Sequence, residues 1–187
     1  MNKALILNGG GTSHPYAELA DRAASWARGH GYEPAVFDLT NMAIKPCRGC
    51  FGCWIKSPGL CAARDDMDKI LPVQAGSDLY VLVTPVSYGG YGYHLKKWFD
   101  RSIPILLPFF EKVQGELHHP LRYGMRSHRL AGIGVEPRVD AENERIFQEI
   151  VRRNSINLRA RFAAVVLGEN DAFPAERLEA LFREEEN

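Results

Sequence analysis

The chain has 187 residues, 45% hydrophobic and 25% charged, which is the balance of an ordinary globular protein of about one domain. Lys+Arg and Asp+Glu both number 23, so no field of one sign steers the chain toward nucleic acid or an anionic membrane, and a strongly acidic electron carrier is disfavoured. The longest apolar runs, Leu79 to Val83 and Ile103 to Phe110, fall short of the ~20 residues that span a bilayer, and MNKALILNGG lacks the features of a secretory signal, so a cytoplasmic location is expected.

Strand-length apolar runs alternate with segments of helical period. Ala4 to Leu7 is a buried strand; Tyr16, Leu19, Ala20, Ala23 and Ala27 then repeat at helical spacing until Gly29 and Gly31 end the helix. Ala35 to Leu39 is a second strand. Met67, Ile70 and Leu71 mark a short helix whose start is favoured by Asp65 and Asp66 at its positive end. Leu79 to Val83 is the third strand, and Leu95, Trp98 and Phe99 lie on a helix. From Ile103 to His128 there is no clean period, and a long irregular excursion is expected. Leu130 to Val135 and Phe162 to Leu167 are the last strands, separated by a helix through Ile146, Phe147, Ile150 and Val151. A final helix opens at Pro174 and turns Leu178, Leu181 and Phe182 inward.

Strands alternating with helices require right-handed crossovers and a parallel sheet covered on both faces, which gives a flavodoxin-like or Rossmann-like layer sandwich. No repeat or linker divides residues 1–187, so one domain is expected. In such sheets ligands sit beyond the carboxyl ends of the strands.

After the first strand, Asn8-Gly9-Gly10-Gly11-Thr12-Ser13-His14-Pro15-Tyr16 is a glycine-rich turn feeding a helix, suited to holding a phosphate on N–H groups, hydroxyls and the helix dipole. A tight turn with no ligand is the simpler alternative. Gly9 and Gly11 fit the dinucleotide fingerprint but His14 stands at its third glycine, which weighs against an NAD domain. In that rival reading Asp38, ending the second strand, would be the ribose acid. After the third strand, the small residues of Thr84-Pro85-Val86-Ser87-Tyr88-Gly89-Gly90 allow a flat ligand to approach the backbone, with nearby tyrosines to cover it. Trp98 and Phe99 are taken as core.

All four cysteines fall in Cys47-x2-Cys50-x2-Cys53-x7-Cys61, within a loop at 46–63, so they form a local site rather than a disulfide framework. Ferredoxin-type runs use this compact spacing for [4Fe–4S]. Zinc sites more often join two separated C-x2-C pairs. Four reduced thiols at a subunit interface stand level with a cluster, and zinc comes third.

ILNGGGTS, the run PCRGCFGCWIKSPGLC followed by DDMDKI, and TPVSYGG with LKKWFDR occur in an order that resembles the flavodoxin-like NAD(P)H-dependent FMN reductase and iron–sulfur flavoprotein group, over roughly residues 3–101. The resemblance implies a flavodoxin-like three-layer sandwich with a five-stranded parallel sheet of order 2-1-3-4-5. It also implies noncovalent FMN, NAD(P)H or a reduced partner protein as electron source, a small-molecule acceptor such as free flavin or quinone, and a homodimer or homotetramer. By motif, Gly10, Gly11, Thr12, Ser13 and Tyr16 would surround the FMN phosphate, and Pro85, Val86, Ser87, Tyr88, Gly89 and Gly90 the ring. Gly134, at the end of the fourth strand, would approach the ring's other side. Some members of the group carry a [4Fe–4S] cluster on such a cysteine loop, here Cys47, Cys50, Cys53 and Cys61, and others share the motif without one. The phosphate loop here lacks the Arg or Lys often seen in the group, and Ser87 stands where an aromatic is frequent, leaving Tyr88 or Trp54 to serve.

An electron carrier with a cluster remains the alternative to an enzyme. Hydride transfer to a flavin requires no side-chain acid, and although Tyr88, Tyr91, Tyr93, His94, His118 and His119 are candidates to orient substrate or donate a proton, no catalytic acid is assigned. A phosphate-responsive receiver would need acids where Asn8 and Thr84 stand, and no G-x-S-x-G elbow marks a hydrolase.

Overall fold

Alternation along the first strand decides how the layers are built. Ala4 and Ile6 point to one side of the sheet and Leu5 and Leu7 to the other, and all four are fully buried, so helices must cover both faces. The computed structural model describes residues 2–124 and 128–183. In chain order the elements are β1 (Asn2–Asn8), α1 (Tyr16–Gly29), β2 (Tyr32–Asp38), α2 (Gly52–Ile55), α3 (Met67–Gly76), β3 (Leu79–Ser87), β4 (Gly90–Tyr91), α4 (Tyr93–Arg101), β5 (Glu111–Val113), β6 (Glu116–His118), β7 (His128–Glu136), α5 (Ala141–Leu158), β8 (Ala160–Gly168) and α6 (Ala175–Leu178).

Five parallel strands stand in the order β2-β1-β3-β7-β8, the flavodoxin-like 2-1-3-4-5 arrangement expected above. On one face α1 and the C-terminal segment pack through Leu19, Ala23, Ala27, Leu178 and Leu181. On the other, α3, α4 and α5 pack through Met67, Ile70, Leu95, Trp98 and Phe147. No described helix is long and apolar enough to cross a membrane.

Three differences from the sequence reading bear on the site. The third strand runs past Val83 to Ser87, because Val86 and Ser87 pair antiparallel with Tyr91 and Gly90. The second ends at Asp38, not Leu39: the Asp38 carboxylate accepts from Thr40 N (2.9 Å) and caps a short 3-10 turn. The expected excursion contains a small hairpin, β5–β6, turning at Gln114-Gly115 with φ of 50° and 85°. Arg153 and Asn157 of α5 hold it through Glu116 (2.6 Å) and His118 (2.8 Å). The excursion's residues 125–127 lie outside those described.

Gly134 is placed by packing. A β-carbon there would stand 2.5 Å from Val86 Cγ2 and 3.2 Å from Phe147 Cζ, so the glycine lets α5 sit down on β7 and against the hairpin of β3. Overpacking of this kind costs about 1–3 kcal/mol. Gly134→Ala is therefore expected to lower the unfolding free energy by that amount, read as a lower urea midpoint at unchanged m-value.

Candidate functional site

The carboxyl ends of β1 and β3 are adjacent, Asn8 pairing with Val83, and the two loops singled out from the sequence meet there. Asn8 is buried, and its side chain organises the glycine turn. Oδ1 accepts from Gly10 N (2.9 Å) and Gly11 N (3.1 Å), while Nδ2 donates to Gly11 O (2.8 Å). The N–H groups of Gly10 and Gly11 are thus turned inward. Outside the turn, Thr12, Ser13 and His14 are exposed, and among the described residues their backbone N–H groups have no partner.

These three residues lead into α1, whose Pro15 cap donates nothing and whose amino end has no side-chain cap. A 14-residue helix thereby presents its positive end beside two hydroxyls and unpaired N–H groups. Gly10 is needed because the Tyr16 ring lies where a side chain would be: a β-carbon there would meet Tyr16 Cγ at 2.1 Å. Gly11 has φ of 84° and faces Thr40, which Asp38 holds at 2.7 Å. Asp38 also accepts from Asn41 Nδ2 (2.6 Å), so its carboxylate is engaged within the protein rather than presented as a ribose ligand.

The second loop is a two-residue turn. Tyr88 and Gly89 both have positive φ, 50° and 75°, the geometry that matches strand twist in a tight hairpin. Gly89 admits Ile146, whose Cβ would lie 2.6 Å from an added β-carbon. Thr84, fully buried, accepts from Gly92 N (3.0 Å) and fixes the base of the hairpin. Ser87 and Tyr88 stand exposed at its tip, Tyr88 at 95%. The structure therefore brings Thr12, Ser13 and Tyr16 to the same end of the sheet as Pro85 to Gly90, while Gly134 is buried and a β-carbon on it would meet Val86 and Phe147.

The other candidates are held elsewhere. Tyr91 stacks on Phe99 (4.9 Å), and burial pushes its phenol well above the ordinary value. His118 bonds Asn157 and Glu116, His119 Nδ1 meets Phe109 O (2.8 Å), and Trp54 donates to the carbonyls of Ile103 (3.2 Å) and Leu106 (3.0 Å). Tyr93 is exposed, and His94 packs edge-on against it with Nδ1 buried and unpartnered among the described residues.

The four cysteines converge. Cys47, Cys50, Cys53 and Cys61 all line one cavity of about 30 Å³, closed on its inner side by Ala63, Arg101 and Ile103. All four are free thiols. Burial first, and then the neighbouring Cys61, Cys47 and Cys50, raise the Cys53 thiol above its ordinary value. Crowded thiolates repel one another, and a cationic centre bound between them removes that repulsion. Among the described residues no three His, Cys, Asp or Glu groups are set to chelate a single metal ion. The cavity has room for about one water. Its outer wall is exposed at Arg48, Cys50 and Phe51.

Sequence reasoning missed the residues beneath these loops. Asp65, read only as a helix-start acid, is 4% exposed in its side chain and forms a two-pronged pair with Arg101, 1% exposed. Burial by itself would raise the Asp65 carboxyl. Arg101 and the N–H groups of Lys45 and Met67 outweigh that and hold it below the usual carboxylate range. The only signal in the sequence was that both residues belong to the quoted motifs.

Comparison with known proteins fits this geometry. The family model described as NADPH-dependent FMN reductase matches residues 3–127, about two thirds of the chain. The chain belongs to the NADPH-dependent FMN reductase family. Among similar proteins are an iron–sulfur flavoprotein of Methanocaldococcus jannaschii, 37% identical over 79 residues (42% of this chain, 40% of the relative), and one of Methanosarcina thermophila, 32% identical over 86 residues (46% and 44%). The chain therefore matches less than half the length of these curated relatives. A solved flavone reductase superposes with a TM-score of 0.62 at 15% identity, covering 96% of this chain and 59% of the other. An NAD(P)H:quinone oxidoreductase from Methanothermobacter marburgensis gives 0.59 at 12% identity, with 96% and 92% covered. At such identities the likeness shows the shared fold.

Proposed function

We propose that the protein is an FMN-dependent oxidoreductase that takes electrons from NAD(P)H, or from a reduced partner, and passes them to a small-molecule acceptor such as free flavin or quinone. The observation that carries this reading is the outward-facing N–H set of Thr12, Ser13 and His14, organised from below by Asn8 and adjoining the β3–β4 hairpin. Bound FMN supplies hydride and single-electron chemistry by itself. The chain's own residues then bind and orient. Thr12, Ser13 and the end of α1 hold the phosphate without a basic side chain, and Pro85 to Gly90 hold the ring. Ser87 and Tyr88, exposed at the hairpin tip, leave an open approach for a donor or acceptor. Exposed Phe51, Phe109, Phe110 and Leu117 support assembly with a second copy as a homodimer or homotetramer.

A second reading, an iron–sulfur flavoprotein electron carrier with [4Fe–4S] on Cys47, Cys50, Cys53 and Cys61, is favoured by the convergence of all four thiols on one cavity. The names of the curated relatives support it. In that case single electrons enter or leave through the cysteine loop.

One anaerobic preparation tests both. Resolved flavin bands that bleach with NAD(P)H, at negligible iron, are expected for the reductase. Flavin over a broad dithionite-sensitive absorption, with iron and sulfide in equal amounts, is expected for the carrier. A chain that takes up no FMN on reconstitution contradicts both.

A further inference from the structure

Arg101 ends α4 behind the cysteine cavity, and nearly all of its guanidinium is engaged. Nη1 donates to Asp65 Oδ2 (2.7 Å) and to the Lys45 carbonyl (2.7 Å); Nη2 donates to Asp65 Oδ1 (3.0 Å) and to the Ala63 carbonyl (3.0 Å). Lys45 precedes the cysteine loop and Ala63 follows it, so one buried side chain ties both of its feet. A single donor is left over. Nε is buried and has no hydrogen-bond partner among the described residues. Leaving such a donor unmade is costly, the more so on a charged group. Arg101 itself lines the cavity into which the four cysteines converge. The Cys61 sulfur lies beside the guanidinium.

We propose that Arg101 is the positioning residue of the cysteine site: it fixes both feet of the loop and turns its remaining N–H and its positive charge toward a sulfur-ligated iron centre on Cys47, Cys50, Cys53 and Cys61. This rests on the iron–sulfur reading above. A donor and a cation beside the sulfurs favour the reduced, more negative form, so Arg101 raises the centre's reduction potential. Its partners dictate which changes are informative. Arg101→Lys keeps the charge opposite Asp65 but loses the fork and Nε. Arg101→Gln combined with Asp65→Asn removes both buried charges together and so leaves neither one unpaired.

The experiment reconstitutes the full chain with FMN, ferrous iron and sulfide under anaerobic conditions. It compares wild type with both variants for iron, sulfide and FMN content and for the centre's midpoint potential in a dithionite titration. Both variants are expected to retain FMN while the potential falls by at least 59 mV, a tenfold change in the one-electron equilibrium. Loss of iron from both variants with FMN retained and melting temperature unchanged supports the same role, since a purely structural pair would act on melting instead. Unchanged potentials with iron retained overturn the role of Arg101 and leave the iron–sulfur reading standing. A wild-type protein that takes up FMN but no iron overturns both.

Discussion

Asp65→Asn is expected to destabilise the fold by about 3–5 kcal/mol, the cost of leaving one partner of a buried ion pair uncompensated. Here the surviving partner is Arg101, whose side chain is 1% exposed. The exposed pair Arg145–Glu142 provides the contrast, since truncating it should leave stability nearly unchanged despite its 2.7 Å separation. Urea unfolding of the two variants measures the difference. The pH dependence has a definite sign. Because the folded state holds the Asp65 carboxyl below its ordinary value, its contribution is fully present above the unfolded pKa of about 3.9 and is lost as pH falls through the lower folded value. The gap between wild type and Asp65→Asn should therefore be constant from pH 5 upward and narrow in more acidic solution. A gap of less than 1 kcal/mol at pH 7 would mean that the Arg101 charge is accommodated without its partner.

Asn8→Asp is expected to weaken FMN binding at least tenfold, about 1.4 kcal/mol. The change is nearly isosteric, and the acceptor oxygen facing Gly10 N and Gly11 N is kept. Two things change. The Nδ2 donor to the Gly11 carbonyl disappears inside a buried turn, and a negative charge is placed in the turn that leads into the residues proposed to meet the phosphate. The comparison variant is Thr12→Ala, which removes one exposed hydroxyl and leaves the turn as it is; its loss should be smaller. Fluorescence titration of the apoprotein with FMN measures both. Equal affinities for wild type and Asn8→Asp would separate the glycine turn from phosphate binding.

Much of this organisation is legible in the sequence because it is periodic or local. The buried run Leu5–Leu7, the helical spacing from Leu19 to Ala27 and the clustering of every cysteine within 15 positions need no tertiary knowledge. The β5–β6 hairpin escaped because three-residue strands are too short to show alternation; its mark is the Gln114-Gly115 turn. Asp65 and Arg101 escaped for another reason: their positions are 36 apart, and only the fold brings them together. Gly134 carries a packing role that the sequence does not show: a glycine at a strand end reads as room for a ligand, and on its side-chain face that room is filled by Phe147 and Val86. Asn8 was legible in identity but not in role, since a side chain that replaces backbone partners for two N–H groups leaves no pattern along the chain.

The clamp at the feet of the cysteine loop also bears on how freely this segment can vary in length. Lys45 and Ala63 are joined through Arg101 and Asp65, and Asp66 ties Ala43 at 2.8 Å, so the closure that an inserted segment needs is supplied by the helices beneath it. Once its ends are held, doubling a loop's length costs only about 0.6 kcal/mol. Residues 46–63 thus form an exchangeable module on a fixed socket. The sheet beneath should tolerate shortening, lengthening or replacement of that module, and a foreign metal-binding segment grafted between Lys45 and Ala63 should inherit the same anchorage.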